Sequence, residues 1–235
     1  MEPPILSLVT GTLNRRDAFN RLVRSIISRT DMPWELVVSD ASDEPYPDEY
    51  PDNVKIIPER PRLGCVKGYN KAFSMCSGKW VLYLNDDAEV MPGYARAAVD
   101  YMEANPEIGL GALYYAEVTL PFAVQEYKDM VYANFGILSK ELGNKIGWMD
   151  TITKMYGNDN SIAFRVLMEG KGIGTIEKAR IWHHSVNDKL RQENQEGRFE
   201  DASKLMEKYG PFLGTMLRTY REKSKIGRLV LNEVY

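Results

Sequence analysis

Histidine and cysteine are scarce in this chain: two of each among 235 residues. His183 and His184 are adjacent, so any imidazole chemistry belongs to one short stretch. Cys65 and Cys76 form no C-x-x-C pair, which excludes a zinc site of that type. If residues 66–76 are helical, the two thiols lie about three turns, or roughly 16 Å, apart. A disulfide needs Cα atoms within ~7 Å, so both read as reduced thiols, the usual state in the cytosol. Long hydrophobic runs are also lacking: none approaches the ~18 residues of a membrane helix. The opening Met1-Glu2-Pro3-Pro4 has no basic region and no signal-type apolar segment. The expected location is therefore cytoplasmic. Charge of one sign is absent too, with 30 Lys and Arg against 33 Asp and Glu and a net charge of -3. Without a global basic field no nucleic-acid partner is expected. A hydrophobic content of 44% and a charged content of 27% belong to an ordinary globular chain.

What is present is a rhythm. Residues 5–9 read as a short buried strand and residues 10–14 as the turn after it. From Asp17 onward Ala18, Phe19, Leu22, Val23, Ile26 and Ile27 recur at helical spacing, stopping near Thr30. A second strand over 35–39 ends on Asp40, an acidic loop follows over 41–53, and a third strand covers 54–57. Gly64 opens a helix to about Met75, residues 79–84 form a fourth strand, and Pro92 begins a helix to Glu103. A fifth strand covers 108–115. Residues 116–135 are mixed and include irregular strand. A helix over 159–169, a strand over 173–182, a polar helix over 187–208 and a short helix to Tyr220 complete the reading. Strand and helix in alternation predict an α/β fold with a mainly parallel central sheet flanked by helices. Such sheets bind ligands beyond the carboxyl ends of their strands.

Three polar groups fall at those ends: Thr10-Gly11-Thr12, Asp40 and Asn85-Asp86-Asp87. Adjacent strands lie about 4.8 Å apart, so the three groups can line one cleft. Asp86 and Asp87 follow the apolar run Trp80-Val81-Leu82-Tyr83-Leu84. Side by side at a sheet mouth, two carboxylates call for a cation or hydrogen-bond donors. Oxygen ligands at that density suit Mg²⁺ or Mn²⁺, ions that usually accompany a diphosphate. A solvated turn is the alternative for the pair taken alone. The first turn, Thr10-Gly11-Thr12-Leu13-Asn14-Arg15, lacks both G-x-G-x-x-G and G-x-x-x-x-G-K-[ST], which disfavours dinucleotide and P-loop sites. Its amides, hydroxyls and Arg15 suit a nucleotide diphosphate held partly by metal.

Four segments in order resemble the inverting glycosyltransferases of family 2, which have the GT-A fold. Leu6-Ser7-Leu8-Val9-Thr10 through Asn14-Arg15 is similar to the opening "VSIVIPTYNR" pattern. Leu36-Val37-Val38-Ser39-Asp40-Ala41-Ser42-Asp43 is similar to "EIIVVDDGSxD". Gly64 to Ala72 followed by Ser77 to Asp87 resembles the stretch that ends in the family's D-D-D. Tyr156 to Arg165 is similar to "GEDxDLxxR" and continues to Ile181-Trp182-His183-His184.

The resemblance implies a nucleotide-diphospho-sugar transferase domain over 1–185. Its nucleotide-binding half covers about 1–90 and its acceptor and catalytic half about 91–185, with a helical extension over 186–235. It implies Thr10, Asn14, Arg15 and Asp40 at the nucleotide, and Lys67, Gly68 and Asn70 around the ribose and diphosphate. Asn85 and Asp86 fall at the ribose or donor sugar. Asp87 becomes the ligand of Mn²⁺ or Mg²⁺, with His183 completing the metal shell and His184 as alternate. Asp159 becomes the catalytic base; an isolated acid at a helix start more often serves as an N-cap. The implied donor is a nucleoside-diphosphate sugar, UDP favoured and GDP or dTDP as alternatives. The implied acceptor is a hydroxyl on a glycan, a lipid-linked molecule or a small molecule.

The sequence departs from the pattern at Asn85, in place of the first acid of D-D-D. Asn158 and Ser161 replace acids on either side of Asp159, and Gly147-Trp148-Met149-Asp150 matches the family's Gly-Gly-Phe-Asp-Glu stretch loosely. A weakly active or inactive sugar-nucleotide binding protein is therefore the alternative, with a sugar-phosphate nucleotidyltransferase behind it. The Q-x-x-R-W signature of processive synthases is absent, so transfer of single sugars is expected. The basic stretch Arg218 to Arg228 reads first as a solvated tail and second as a peripheral contact for an anionic membrane.

Overall fold

The computed structural model describes residues 3–44, 49–116, 124–127, 130–195 and 197–226. Strand β1 (Leu6–Thr12) leads through α1 (Arg16–Arg29) to β2 (Trp34–Asp40) and β3 (Val54–Pro58). Then come α2 (Cys65–Ser74), β4 (Trp80–Tyr83), β5 (Ala88–Val90), α3 (Tyr94–Ala104) and β6 (Ile108–Tyr115). A hairpin of β7 (Val124–Tyr127) and β8 (Met130–Ala133) precedes β9 (Gly136–Ser139), α4 (Lys140–Ile146), α5 (Asn158–Met168) and β10 (Gly172–His183). The chain continues through α6 (Lys189–Gln195), α7 (Arg198–Tyr209), a 3₁₀ turn and α8 (Leu213–Lys223).

Eight strands form one sheet in the order β3-β2-β1-β4-β9-β6-β10-β5. Strands β1 to β4 are mutually parallel and β6 pairs parallel with β10. Strand β9 runs antiparallel to β4 and β6, and β5 antiparallel to β10. The pleat sends alternate residues to opposite faces. Leu6, Leu8, Leu36, Val38 and Leu82 enter one core with α1 and α3. Val9, Val37, Val81 and Tyr83 enter the other with α2, α5 and α8. Both faces are covered, which is why these strands read as continuous apolar runs.

The structure corrects several expected boundaries. Strand β1 runs on through Thr12 instead of turning at Thr10, because Thr10, Gly11 and Thr12 pair with Val38, Ser39 and Asp40. Helix α3 starts at Tyr94 behind the capping Gly93, so Pro92 lies before the helix and not in its first turn. The expected long polar helix is two helices, α6 and α7, with Gly197 at the start of the second. Strands β5 and β9 and helix α4 were not anticipated. The first two are three and four residues long, too short to show a period. The expectation for 116–135 and the Arg228 end of the basic stretch fall partly outside the described residues. Both cysteines are free, as read from their spacing.

The C-terminal helices pack onto the sheet. Helix α8 contacts α5 and β10. Lys225 N–H donates to the Ile173 carbonyl, and Thr175 N–H donates to the Lys225 carbonyl.

Candidate active site

Strand order decides which polar ends meet. The chain leaves β4 at Leu84, whose N–H still donates to the Val9 carbonyl, and turns through Asp86 and Asp87 into β5. Strand β5 pairs antiparallel with β10, with His183 opposite Ala88. That register sets His183 beside Asp87: Nε2 lies 3.2 Å from Oδ1. The second Asp87 oxygen accepts the Val186 N–H at 3.0 Å. Tyr115 stacks on the His183 ring with centroids 5.6 Å apart, and Phe135 meets it edge-on at 5.2 Å. The imidazole is thereby fixed by two aromatics and a carboxylate. His184 points elsewhere, to Glu89 at 3.1 Å, and Arg29 binds that same Glu89.

Asp86 is 6% exposed. It accepts the Thr12 hydroxyl at 3.1 Å and pairs with Arg15 at 3.3 Å. The two acids titrate apart. Burial pushes the Asp86 carboxyl up to about 6 despite Arg15. Burial also raises Asp87, but the hydrogen bond and charge of His183 and the Val186 N–H carry it below the usual carboxylate range. Arg15 is shared further. Its Nε and Nη2 grip Asp188 at 2.7 and 2.8 Å, a bidentate pair of the kind guanidinium also makes with phosphate. Asp188 lies in the polar stretch after His184, where no local pattern singled it out.

The remaining expected residues are placed as follows. Asn14 adopts φ +55 and exchanges hydrogen bonds with Asp43, its Nδ2 donating to Asp43 and its Oδ1 accepting the Asp43 N–H. Asn is among the residues that tolerate this conformation. Asp40, 2% exposed, accepts the Ser42 N–H at 2.9 Å. Thr10 is fully buried within β1. A Cβ on Gly68 would meet Glu59 Oε1 at 2.2 Å and Ser39 Oγ at 2.8 Å, so this glycine lets α2 approach β2 and the Glu59 carboxylate. Asn70 clamps the Met149 backbone through both amide atoms, at 2.8 and 3.1 Å. Lys67 and Asn85 are exposed at the rim.

Asp159 stands in the first turn of α5, two residues past the capping Gly157, so it is not itself the N-cap. Its Oδ1 accepts the Asn160 N–H at 2.9 Å, and burial pushes its carboxyl up to about 6. Asp86 and Asp159 both bear electrostatically on Cys65, whose Sγ lies 3.8 Å from Asn158 Nδ2. The start of α5 thus meets the start of α2 at Cys65. Ser161 is spent on structure: its hydroxyl accepts the Asp150 N–H and donates to the Asn158 carbonyl.

Among the described residues, no group of three or more His, Cys, Asp or Glu side chains forms a metal cage. Asp87 and His183 nonetheless present one oxygen and one nitrogen donor to the same spot. Two protein ligands plus phosphate oxygens and water is how Mg²⁺ and similar ions usually sit in nucleotide sites, and a set containing imidazole fits Mn²⁺ well.

A mixed sheet, covered by helices on both faces, with an acidic pair at the end of a central strand, is the GT-A fold. The backbone matches the crystal structure of GalNAc-T7 with UDP, GalNAc and Mn²⁺ at a TM-score of 0.64 and 15% identity, over 77% of this chain and 43% of that one. The model of the family described as glycosyl transferase family 2 matches residues 7–156, and the chain belongs to that family. An uncharacterized glycosyltransferase of Haemophilus influenzae is 23% identical over 185 residues, which is 70% of this chain. The chain spans 63% of that relative's length.

Proposed function

We propose that this chain transfers a single sugar from a nucleoside-diphosphate sugar, UDP favoured, to an acceptor hydroxyl with inversion at the anomeric carbon. Family membership supports sugar transfer. The observation that supports the finer reading is the geometry of the acidic pair, with Asp87 Oδ1 3.2 Å from His183 Nε2 and Asp86 Oδ1 3.3 Å from Arg15 Nη1.

Asp87 and His183 would hold a divalent ion, Mn²⁺ or Mg²⁺, which when bound supplies Lewis-acid stabilisation of the departing diphosphate. Arg15 would meet the same developing charge, and Asp40 and Asn14 would orient the nucleoside. Asp159 would accept the proton of the attacking hydroxyl. A carboxyl near 6 is half deprotonated at that pH and remains basic enough to take a proton. The bond from the sugar to the diphosphate breaks as the bond to the acceptor oxygen forms, in one in-line step.

Calorimetry with UDP, GDP, dTDP and CDP, first with Mn²⁺ and then with EDTA, tests the donor site. Metal-dependent binding of one nucleotide, lost in Asp87→Ala, is expected. Binding of none of the four under either condition would remove the donor reading.

A further inference from the structure

The segment that leads to Asp159 is held from outside itself. Helix α7 turns Asp201, Leu205 and Tyr209 to one face, at the i, i+4, i+8 spacing of a single helical stripe. Asp201 is 2% exposed. Its Oδ1 accepts the Lys154 N–H at 3.0 Å, and its Oδ2 accepts the N–H groups of Met155 and Tyr156 at 3.0 and 2.9 Å. Three successive amides thus converge on one buried carboxylate, an arrangement that satisfies the charge where water is excluded. Gly157 follows at φ +74, and a Cβ there would meet Leu205 Cδ1 at 2.2 Å. At the other end of the loop, Tyr209 and Lys208 both donate to Asp150 Oδ2 at 2.5 Å. The family match ends at Tyr156, so none of these α7 groups lies inside it.

We propose that Asp201 is a positioning residue for the base, α7 acting as a splint that fixes loop 150–157 and so aims Asp159 into the cleft. This rests on the reading of Asp159 as base. Asp201 takes three successive amides of the loop, the last of them two residues before α5. Leu205 closes over Gly157, where an added side chain would collide with α7. The base therefore depends on a helix that begins 39 positions after it in the chain (198 − 159).

Asp201→Asn in the full chain tests the splint with two readouts. One is amide hydrogen exchange at 154–156; the other is the carboxyl titration of Asp159 by carbon-13 NMR, with Cys65, Tyr83 and Tyr132 as its ionisable neighbours. Exchange at the three amides is expected to speed by about tenfold or more, the scale of one lost bond to a charged acceptor. The Asp159 midpoint is expected to fall toward the ordinary carboxylate range as the turn opens to water. Binding of Mn²⁺ with UDP is expected to stay within about twofold, because the donor carboxylates lie on other elements. Unchanged exchange together with an unmoved Asp159 midpoint would overturn the proposal. Should Asp201→Asn fail to fold, Asp201→Glu, which keeps the charge but shifts the oxygens by one methylene, takes its place, with the same two readouts and the same overturning result. The base reading is tested apart, by turnover of Asp159→Asn. Its failure would leave the splint result standing as geometry without catalysis.

Discussion

His183 Nε2 lies 3.2 Å from Asp87 Oδ1, while the neighbouring His184 Nε2 lies 3.1 Å from Glu89 Oε2. His183 is the last residue of β10 and His184 the first beyond it, and their side chains reach different carboxylates on either side of Ala88. Of the two, only His183 touches the acidic pair, and under the proposed function it alone would share a divalent ion with Asp87. Removing Asp87 is expected to weaken Mn²⁺-dependent UDP binding by at least about 100-fold, and His183→Ala by about 10- to 100-fold. His184→Ala should change it by less than about threefold, because its partner Glu89 is held as well by Arg29. Calorimetry on the three variants decides; equal damage from both histidine changes would reverse the assignment.

Asp159 links activity to stability through its titration. Its carboxyl is pushed up to about 6, so the folded protein binds that proton more tightly than the unfolded chain does. Whatever stability the protonated group contributes is intact below the unfolded value of about 3.9 and is lost as pH rises through 6. Turnover should rise over the same window as the base is freed. Asp159→Asn is expected to lower turnover by about 10²- to 10⁴-fold. The same variant should be more stable than the parent at pH 8, on the order of 2 kcal/mol, with no gain at pH 3. Asp86 titrates in this window too and reports through donor binding instead, so binding and turnover must be profiled separately. A variant that gains no stability at pH 8 would show that Asp159 is not a strained acid.

The placing of Asp40 and Asp86-Asp87 at one end of the sheet was legible in the sequence because these residues follow strand ends. Asp40 and Asp86-Asp87 each close an apolar run, and parallel pairing aligns such ends. Arg15 was legible as a cation beside the first turn, but its partner Asp188 was not, since the contact spans 173 positions. Gly68 and Asn70 show the reverse limit. The resemblance puts them near the donor, and the structure adds packing roles that no motif announced: Ser39 and Glu59 crowd Gly68, and Asn70 is tied to Met149. A pattern marks where a family needs a residue type, and both packing and binding create such needs. The α7 contacts with loop 150–157 left no trace in periodicity, because they arise from how a C-terminal helix docks.

The bidentate grip of Asp188 on Arg15 puts a carboxylate where a diphosphate would be recognised. Any donor that uses Arg15 must compete with it. Asp188→Ala is expected to tighten Mn²⁺-dependent UDP binding by about three- to tenfold at low salt, the worth of a partly exposed pair. The gain should shrink as ionic strength rises. Titrations at two salt concentrations measure it. Weaker binding in the variant would mean that Asp188 holds Arg15 in its working position.

Asp150 should matter more to stability than any surface pair in the molecule. Its side chain is 5% exposed and receives Arg165 at 3.0 Å, Lys208 at 2.5 Å and the Tyr209 hydroxyl at 2.5 Å. Burial raises the carboxyl, but Lys208, Tyr209, the Ile152 N–H and Arg165 together hold it well below the usual carboxylate range. Asp150→Ala would leave the Arg165 guanidinium, 20% exposed, facing a space without its charge partner. Breaking one side of a buried pair costs about 3–5 kcal/mol, so the variant is expected to lose that much by urea unfolding at pH 7. Lys208→Ala should lose only about 1 kcal/mol, since Lys208 is 46% exposed and Arg165 and Tyr209 remain. The sign of the pH dependence follows from the depressed carboxyl. Its contribution is complete above about 4 and is lost as pH falls through the folded value, so the gap between parent and Asp150→Ala should close in acid. A gap that stayed constant from pH 7 to pH 2 would mean that packing, and not charge, is what Asp150 supplies.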